Sequence, residues 1–542
     1  MNPNTIRDPI RLALSDPRRA WSVIDGRALG SDVELECDVA IVGSGAGGGV
    51  SAEILAAAGL RVVMIEEGPL KSSDDFRMRE GEAYPSLYQE SAGRLTRDKG
   101  ITILQGRSVG GSTTVNWTSS FRTPAATLGH WQQYHALDDL SPAQMAPWFE
   151  RMEQRLSIAP WPVTPNVNND VLRRGMQALG IPHAAIQRNV KGCWNLGYCG
   201  MGCPTNAKQS MLVTTIPAAL DAGMLLVHSA RVLRLGHRRE RIATLLAAGM
   251  DPAGVEPGAR RIRVHARHVI LAAGAIHSPA LLMRSAIPDP HRLLGRRTFL
   301  HPSVISAALM DGPVEAFNGA PQTIYSDHFL DSLPLDGPVG FKLEAPPIHP
   351  ILAGITLPGH GAAHAAWMKR LPQMQVGIAL LRDGFHPESP GGTVHLRPDG
   401  SPVLDYPISG YLWDGARRAL ATLAEIQFAA GAAIVMPLHD EARPLRRWSD
   451  ARAAIDRLDM ATLKCRVASA HVMGGCAMGS RARDSVVDAE GRHHQIENLS
   501  VIDGSVFPTS IGANPQLSIY ALAARNATAL AGSLRADTRP TV

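Results

Sequence analysis

Residues 37–68 read CDVAIVGSGAGGGVSAEILAAAGLRVVMIEEG, and the fold turns on how that stretch is parsed. An apolar run over 34–42 leads into Gly43-x-Gly45-x-x-Gly48. A small-residue run, 46–58, follows, with Gly59 placed to end a helix, and a second apolar run over 60–66 finishes in an acid. This order predicts strand, tight loop, helix and strand, the opening unit of a parallel Rossmann-like sheet. In such a unit the first glycine allows the turn, the second lets the backbone approach a pyrophosphate, and the third packs helix against strand. The helix N-terminus at Ala46 directs free N–H groups and a positive dipole end toward phosphate. Glu66, at the end of the second strand, is placed to accept hydrogen bonds from adenosine ribose hydroxyls. A glycine fingerprint alone is weak evidence. With both strands and the acid it reads as a dinucleotide site of unspecified kind.

Outward from that unit, a chain of 542 residues is too long for one hydrophobic core and predicts two or more domains. Further α/β pieces are expected at 267–273 (RHVILAA, with a helix behind it), at 498–502 (NLSVI) and in a last helix over 517–533. Between them lie stretches of another texture, with a helical segment at 142–155 and alternating runs at 373–382 and 393–396 that suit an antiparallel sheet. The expected class is α/β, α+β overall: a Rossmann-like cofactor domain with a discontinuous substrate domain built on an antiparallel sheet. Residues 1–36 form a short helical lead-in. The cofactor domain takes 37–122, 224–308 and 460–542, and the substrate domain takes 123–223 and 309–459.

Composition excludes several classes. A net charge of +5, with no basic block or aromatic–basic repeat, gives nucleic-acid binding no support. Six cysteines, three of them within 193–203, do not resemble a secreted disulfide framework. The polar N-terminus lacks an apolar core and a cleavage site, so no export signal is expected. No run of about 18 apolar residues predicts a spanning helix. A cytoplasmic protein is expected, with peripheral contact at a membrane left open.

Two further segments distinguish the dinucleotides. Residues 269–274 (VILAAG), including Ala273, are similar to the strand-plus-glycine segment of FAD-binding oxidoreductases. At 501–504 (VIDG), Asp503 can hydrogen-bond a ribityl chain while Gly504 lets the backbone approach a flavin. With the glycine loop, in this order, they point to FAD rather than NAD. Residues 106–116 (GRSVGGSTTVN) and 502–515 (IDGSVFPTSIGANP) then resemble the two signature segments of the glucose–methanol–choline (GMC) oxidoreductases, and 470–479 (AHVMGGCAMG) resembles the block before the second. The resemblance covers essentially the whole chain. It implies a substrate-domain sheet roofing the flavin, with Arg107, Gly110, Gly111, Ser112 and Asn116 beside the flavin and its phosphates. It also implies backbone contact of Val232 with adenine and places Pro515 among the cofactor contacts.

His471 and Asn514 fill the family's catalytic positions. Most of the 20 histidines should be structural, but an alcohol must lose its O–H proton as hydride leaves the carbinol carbon for flavin N5. A neutral imidazole can take that proton, and the Asn514 amide can donate to the developing alkoxide. Within 192–210 (GCWNLGYCGMGCPTNAKQS), the run 199–208 (CGMGCPTNAK) resembles the long-chain fatty-alcohol oxidase branch, where Asn116-Trp117 and Arg122-Thr123-Pro124 also find counterparts. Cys193, Cys199 and Cys203 could hold an iron–sulfur cluster, but their spacing favours a structured loop; zinc lacks a fourth ligand nearby, and no metal is assigned. The expected reaction is oxidation of an apolar or long-chain alcohol to aldehyde or ketone. The alternatives are a sugar or polyol dehydrogenase with an iron–sulfur relay, a cyanohydrin lyase, and a flavin-binding protein without turnover. The acceptor, whether oxygen, a quinone or a protein, stays open.

Overall fold

Residues 39–42 are almost fully buried because their strand runs through the middle of a sheet covered on both faces. The computed structural model describes residues 8–536, so 1–7 of the lead-in lie outside the described residues. In that sheet Ser22–Asp25, Leu225–His228, Val62–Ile65, Val33–Val42 and Pro257–Leu271 lie side by side, all parallel. Pro257–Leu271 is long enough to take two neighbours on its far side. Its first half pairs antiparallel with Arg241–Met250, which carries Ala230–Arg238, and its last residues pair parallel with Leu499–Val501. Among the described residues, the lead-in is α-helical over Pro9–Ser15 and forms a 3₁₀ turn at Gly26–Ala28. Ser22–Asp25 is an edge strand, because Val23 and Ile24 extend the apolar ladder opposite Leu226 and Val227.

The glycine-loop helix, Ala46–Ala57, packs against the alanine-rich helix Gln516–Ala536 and against Thr215–Asp221. Its small side chains allow the close approach. A Cβ on Gly47 would lie 1.7 Å from the Ile502 carbonyl oxygen, and one on Gly49 would crowd Met211 and Thr215.

A second sheet runs in the order Ile101–Ile103, Val467–Ser469, Ser303–Leu309, Met374–Leu381, Phe341–Glu344, Ile324–Ser326 and Ala184–Ala185, with Ile434–Pro437 also on Ser303–Leu309. It is antiparallel except where Ile101–Ile103 meets Val467–Ser469. Helix Gly410–Ala429, started by the Ser409 hydroxyl accepting from the Leu412 N–H, covers its outer face together with Val167–Ala178. Each sheet has its own hydrophobic core.

Several segments fall on the other side of the boundaries expected from sequence. Ile101–Ile103, Ser303–Leu309 and Val467–Ser469 belong to the second sheet, although they lie in stretches read as cofactor domain. Conversely, Leu128, Trp131, Phe149 and Met152, from helices Ala125–His135 and Pro142–Arg155, pack into the first core. A short strand records its own alternation, not the sheet that receives it.

A third, four-stranded sheet pairs Arg296–Phe299 with Gly392–Leu396 and with Met473–Gly474. Phe299 faces Met473, while farther along Ser303 faces Ala468. The intervening residues, 301 and 471, are thereby held opposite each other.

Gly47→Ala should lower stability by about 1–3 kcal/mol through overpacking against Ile502. A thermal melt with flavin fluorescence as the second readout checks this; an unshifted midpoint would contradict the packing described.

Candidate active site

A cavity of about 1100 Å³ opens at the C-terminal ends of the parallel strands and runs beneath the second sheet. Of the residues singled out from sequence, Gly43, Gly45, Ala46, Glu66, Arg107, Gly111, Ser112, Asn116, Val232, Ala273, Asp503, Gly504, Pro515, His471 and Asn514 line it. Gly48 and Gly110 stand behind the wall. A Cβ on Gly48 would sit 2.0 Å from the Gly43 oxygen, and one on Gly110 would sit 2.4 Å from the Thr114 hydroxyl. Both are packing positions and not cavity contacts.

The phosphate end is formed by two glycine turns. Gly43 takes φ +96°, with its α-carbon against the Ala272 carbonyl, and a Cβ on Gly111 would come within 2.8 Å of the Gly45 α-carbon. Gly45 starts helix Ala46–Ala57 with no side-chain cap. Backbone N–H groups at an uncapped helix start facing a cavity suit a pyrophosphate. The donor set and the close glycine approach therefore fit a dinucleotide.

Several of the side chains expected to meet the cofactor also have partners within the protein. Glu66, expected at the ribose, accepts from the Ser44 N–H at 3.0 Å, the Ser44 hydroxyl at 2.6 Å and the Gly68 N–H at 2.8 Å, and burial raises its pKa. Arg107, expected beside the flavin and its phosphates, turns its guanidinium to Glu67 at 2.6 Å and to the Gly254 carbonyl. Ser112 accepts from the Gly106 N–H at 2.9 Å, and Asn116 donates to Gln516 at 2.7 Å. Asp503 accepts from the Gly274 N–H, the Ser278 hydroxyl and the Ser505 N–H.

At the far end of the cavity, His471 Nε2 lies 3.5 Å from Asn514 Nδ2, and His471 Nδ1 lies 3.3 Å from His301 Nδ1. The Gly512 N–H donates to His301 Nε2 at 3.1 Å. His301, clamped from behind, thus orients the His471 ring with Nε2 toward Asn514. Burial and the Lys342 ammonium bring the His471 pKa down to about 4, so the imidazole is neutral in neutral solution. Burial, with the neighbouring His471, holds His301 well below its ordinary value.

Asn514 donates to the Glu344 carboxylate at 3.4 Å, and Gln322 donates to the same oxygen. Asn514 Oδ1 and Glu344 Oε1 are buried without a hydrogen-bond partner in the structure. Burial pushes the Glu344 carboxyl up to about 7 against the opposing pull of Lys342 and the two amides. Lys342 is itself buried, 2.8 Å from Asp327 and 3.4 Å from the centroid of the Phe121 ring.

His301, Glu344 and Lys342, which the sequence reading did not single out, complete the polar group around His471 and Asn514. The run FKLE, with two charged side chains in a strand buried along its whole length, was the available signal. The cysteine loop carries free thiols: the Cys199 sulfur accepts from Arg188 at 3.7 Å and the Cys193 sulfur from the Asn195 N–H at 3.4 Å. Among the described residues, no group of three or more His, Cys, Asp or Glu side chains is arranged to hold a metal.

With this geometry in place, comparison with known proteins is direct. The family models for GMC oxidoreductases match residues 84–303 and 387–523. An uncharacterized GMC-type oxidoreductase of Sinorhizobium fredii is 31% identical over 93% of this chain and 96% of its own length. Another, from Mycobacterium tuberculosis, is 33% identical over 90% of this chain and 74% of its own. A long-chain-alcohol oxidase of Arabidopsis thaliana is 28% identical over 91% of this chain and 68% of its own length. Among solved structures, a formate oxidase of Aspergillus oryzae superposes with TM-score 0.69 at 16% identity, covering 94% of this chain and 99% of its own. Pyridoxine 4-oxidase does so with TM-score 0.66 at 19% identity, covering 91% and 98%. The chain belongs to the GMC oxidoreductase family, and its cofactor is FAD. Among the described residues, no helix is long and apolar enough to cross a membrane.

A carboxyl whose folded pKa is raised from 4.5 to about 7 adds stability that is complete below the unfolded value and lost as pH climbs through the folded one. Glu344→Gln should therefore flatten the decline of melting temperature between about pH 5 and 8. Parallel wild-type and variant curves would remove Glu344 as the titrating group.

Proposed function

We propose that this flavoenzyme oxidises an apolar alcohol to the aldehyde or ketone, with the hydroxyl group lodged between His471 and Asn514. The observation that carries the proposal is the convergence of these two polar side chains at the end of a cavity whose roof is aliphatic. Ile305, Val376, Ile378 and Leu380 of the second sheet line it. Alternate residues of one strand point to one face, so Val376, Ile378 and Leu380 present a continuous apolar surface. Toward the outside the lining continues through Leu352 and Ile355, the latter 66% exposed. An apolar entrance suits a hydrocarbon chain better than a polyol. The Arabidopsis long-chain-alcohol oxidase in the family points the same way.

FAD supplies the hydride acceptor at N5. The protein's part is to bind, aim and deprotonate the alcohol. His471 takes the hydroxyl proton at Nε2 when its lone pair faces the cavity. The proton between the two Nδ1 atoms decides this. Because the Gly512 N–H donates to His301 Nε2, the neutral His301 carries its proton on Nδ1 and His471 Nε2 is a donor; Nε2 is free to accept in the other tautomer, in which His301 moves its proton to Nε2 and gives up the Gly512 bond. In both arrangements His471 is the group at the oxygen, and Asn514 completes its hydrogen bonding. A buried site strengthens both contacts because water does not compete.

Anaerobic addition of a long-chain primary alcohol should bleach the bound flavin, with short polyols much slower. His471→Ala should slow that bleaching by roughly 10²–10⁴ while FAD stays bound. An alcohol panel that leaves flavin absorbance unchanged would defeat the proposed reaction, and near-wild-type reduction in the variant would remove His471 from it.

A further inference from the structure

The glycine turns account for the pyrophosphate end of the cavity but not for its adenosine end, beside Glu66 and Val232. There the wall includes Val255 and Glu256 of the turn 251–256, which joins strand Arg241–Met250 to Pro257–Leu271. The turn is built to hold its own shape. Asp251 accepts from the Val255 N–H at 2.7 Å and the Glu256 N–H at 3.1 Å, and the Gly254 N–H closes on the Asp251 carbonyl at 2.8 Å.

Its attachment to the cofactor domain runs through two arginines gathered by Glu67, and Arg231 also meets the Glu256 carboxylate of the turn at 3.7 Å. Glu67 directly follows Glu66 and accepts from Arg107 at 2.6 Å and Arg231 at 3.2 Å. The same two guanidiniums reach across to the turn, Arg107 to the Gly254 carbonyl and Arg231 to the Val255 carbonyl at 2.9 Å. Burial would raise the Glu67 carboxyl, but Arg231 and Arg107 beside it bring it down to about 2, so the cluster stays charged at any working pH. Exposed ion pairs contribute little. Here the two Arg side chains are only 14% and 28% exposed, and each also holds a backbone carbonyl through a charge-assisted bond. Val255 is 58% exposed where it lines the cavity, leaving an uncovered aliphatic side chain on the same stretch of wall as Val232.

We infer that Glu67, Arg107 and Arg231 form a latch that fastens the turn 251–256 over the adenosine half of the dinucleotide, with Val255 and Val232 flanking the adenine. The latch makes cofactor retention depend on residues remote from His471 and Asn514. This rests on FAD as the cofactor, and it assigns Arg107 to retention in place of direct phosphate contact.

The test is FAD release from the holoenzyme, followed by recovery of free-flavin fluorescence on dilution. Arg231→Met and Glu67→Gln should each speed release about tenfold, the loss of one charge-assisted hydrogen bond, and Arg231→Lys by less. ADP and FMN titrated separately into apoprotein locate the effect. ADP affinity should fall in both variants with FMN affinity unchanged, and ADP should slow amide exchange over 252–256 in the wild type alone. Unchanged release in both variants would overturn the latch, as would equal losses of ADP and FMN affinity, which signify general loosening. A wild-type protein that binds neither FAD nor ADP would overturn the cofactor reading as well, a result no latch failure produces.

Discussion

The Asp503 carboxylate, buried at the end of strand Leu499–Val501, accepts three hydrogen bonds at 2.6–2.8 Å from Gly274, Ser278 and Ser505. Burying a carboxylate is costly unless its oxygens are used. Here those bonds tie the start of helix Gly274–Arg284 to the C-terminal strand. Leu271 faces Val501 in the same ladder, so a slip of either strand would orphan the charge. Ile502, one residue away, has its carbonyl against Gly47 of the glycine-loop helix. One carboxylate and one glycine contact thus fix the relative positions of all three segments that surround the dinucleotide. The second sheet keeps its place over the cavity because this base does not shift.

The fold of that base was readable from sequence because its signals are local. Gly43 needs a positive φ, the run 39–42 needs a sheet interior, and the acid at 66 ends a strand. These are properties of consecutive residues. Helix Pro142–Arg155 was readable as a helical segment, and the structure shows its start closed by a Ser141–Gln144 capping box. What stayed illegible is set by pairing between distant residues. Nothing in ITI at 101–103 or VAS at 467–469 says that they join each other and leave the Rossmann sheet. The family resemblance placed Arg107 beside the flavin and its phosphates, and in the structure its guanidinium pairs with Glu67. A sequence motif places a backbone, and a charged side chain within it goes to the nearest opposite charge.

The same division runs through the catalytic end. His471 and Asn514 belong to recognisable segments. His301 does not, and its place opposite His471 follows from Phe299 pairing with Met473 and Ser303 with Ala468. Glu344 sits behind Asn514 because Phe341–Glu344 alternates Phe341 and Leu343 to one face, sending Lys342 and Glu344 to the other. Burial and the Lys342 ammonium lower the proton affinity of His471, while burial, against the pull of the same ammonium, raises that of Glu344. Their opposed shifts are what a site handling a proton beside a developing oxyanion requires.

The pairing of Pro257–Leu271 with Leu499–Val501 also orders events during synthesis. A ribosome delivers the glycine loop early and Asp503 late, and domains fold as their parts emerge. Until residues 499–501 dock, the last residues of Pro257–Leu271 present an unpaired apolar edge, and Gly47 has no partner to pack against. An open edge of this kind invites pairing with other chains. The dinucleotide site therefore exists only after nearly all the described chain has been made. FAD loading waits on the docking of residues 499–503 against 269–274.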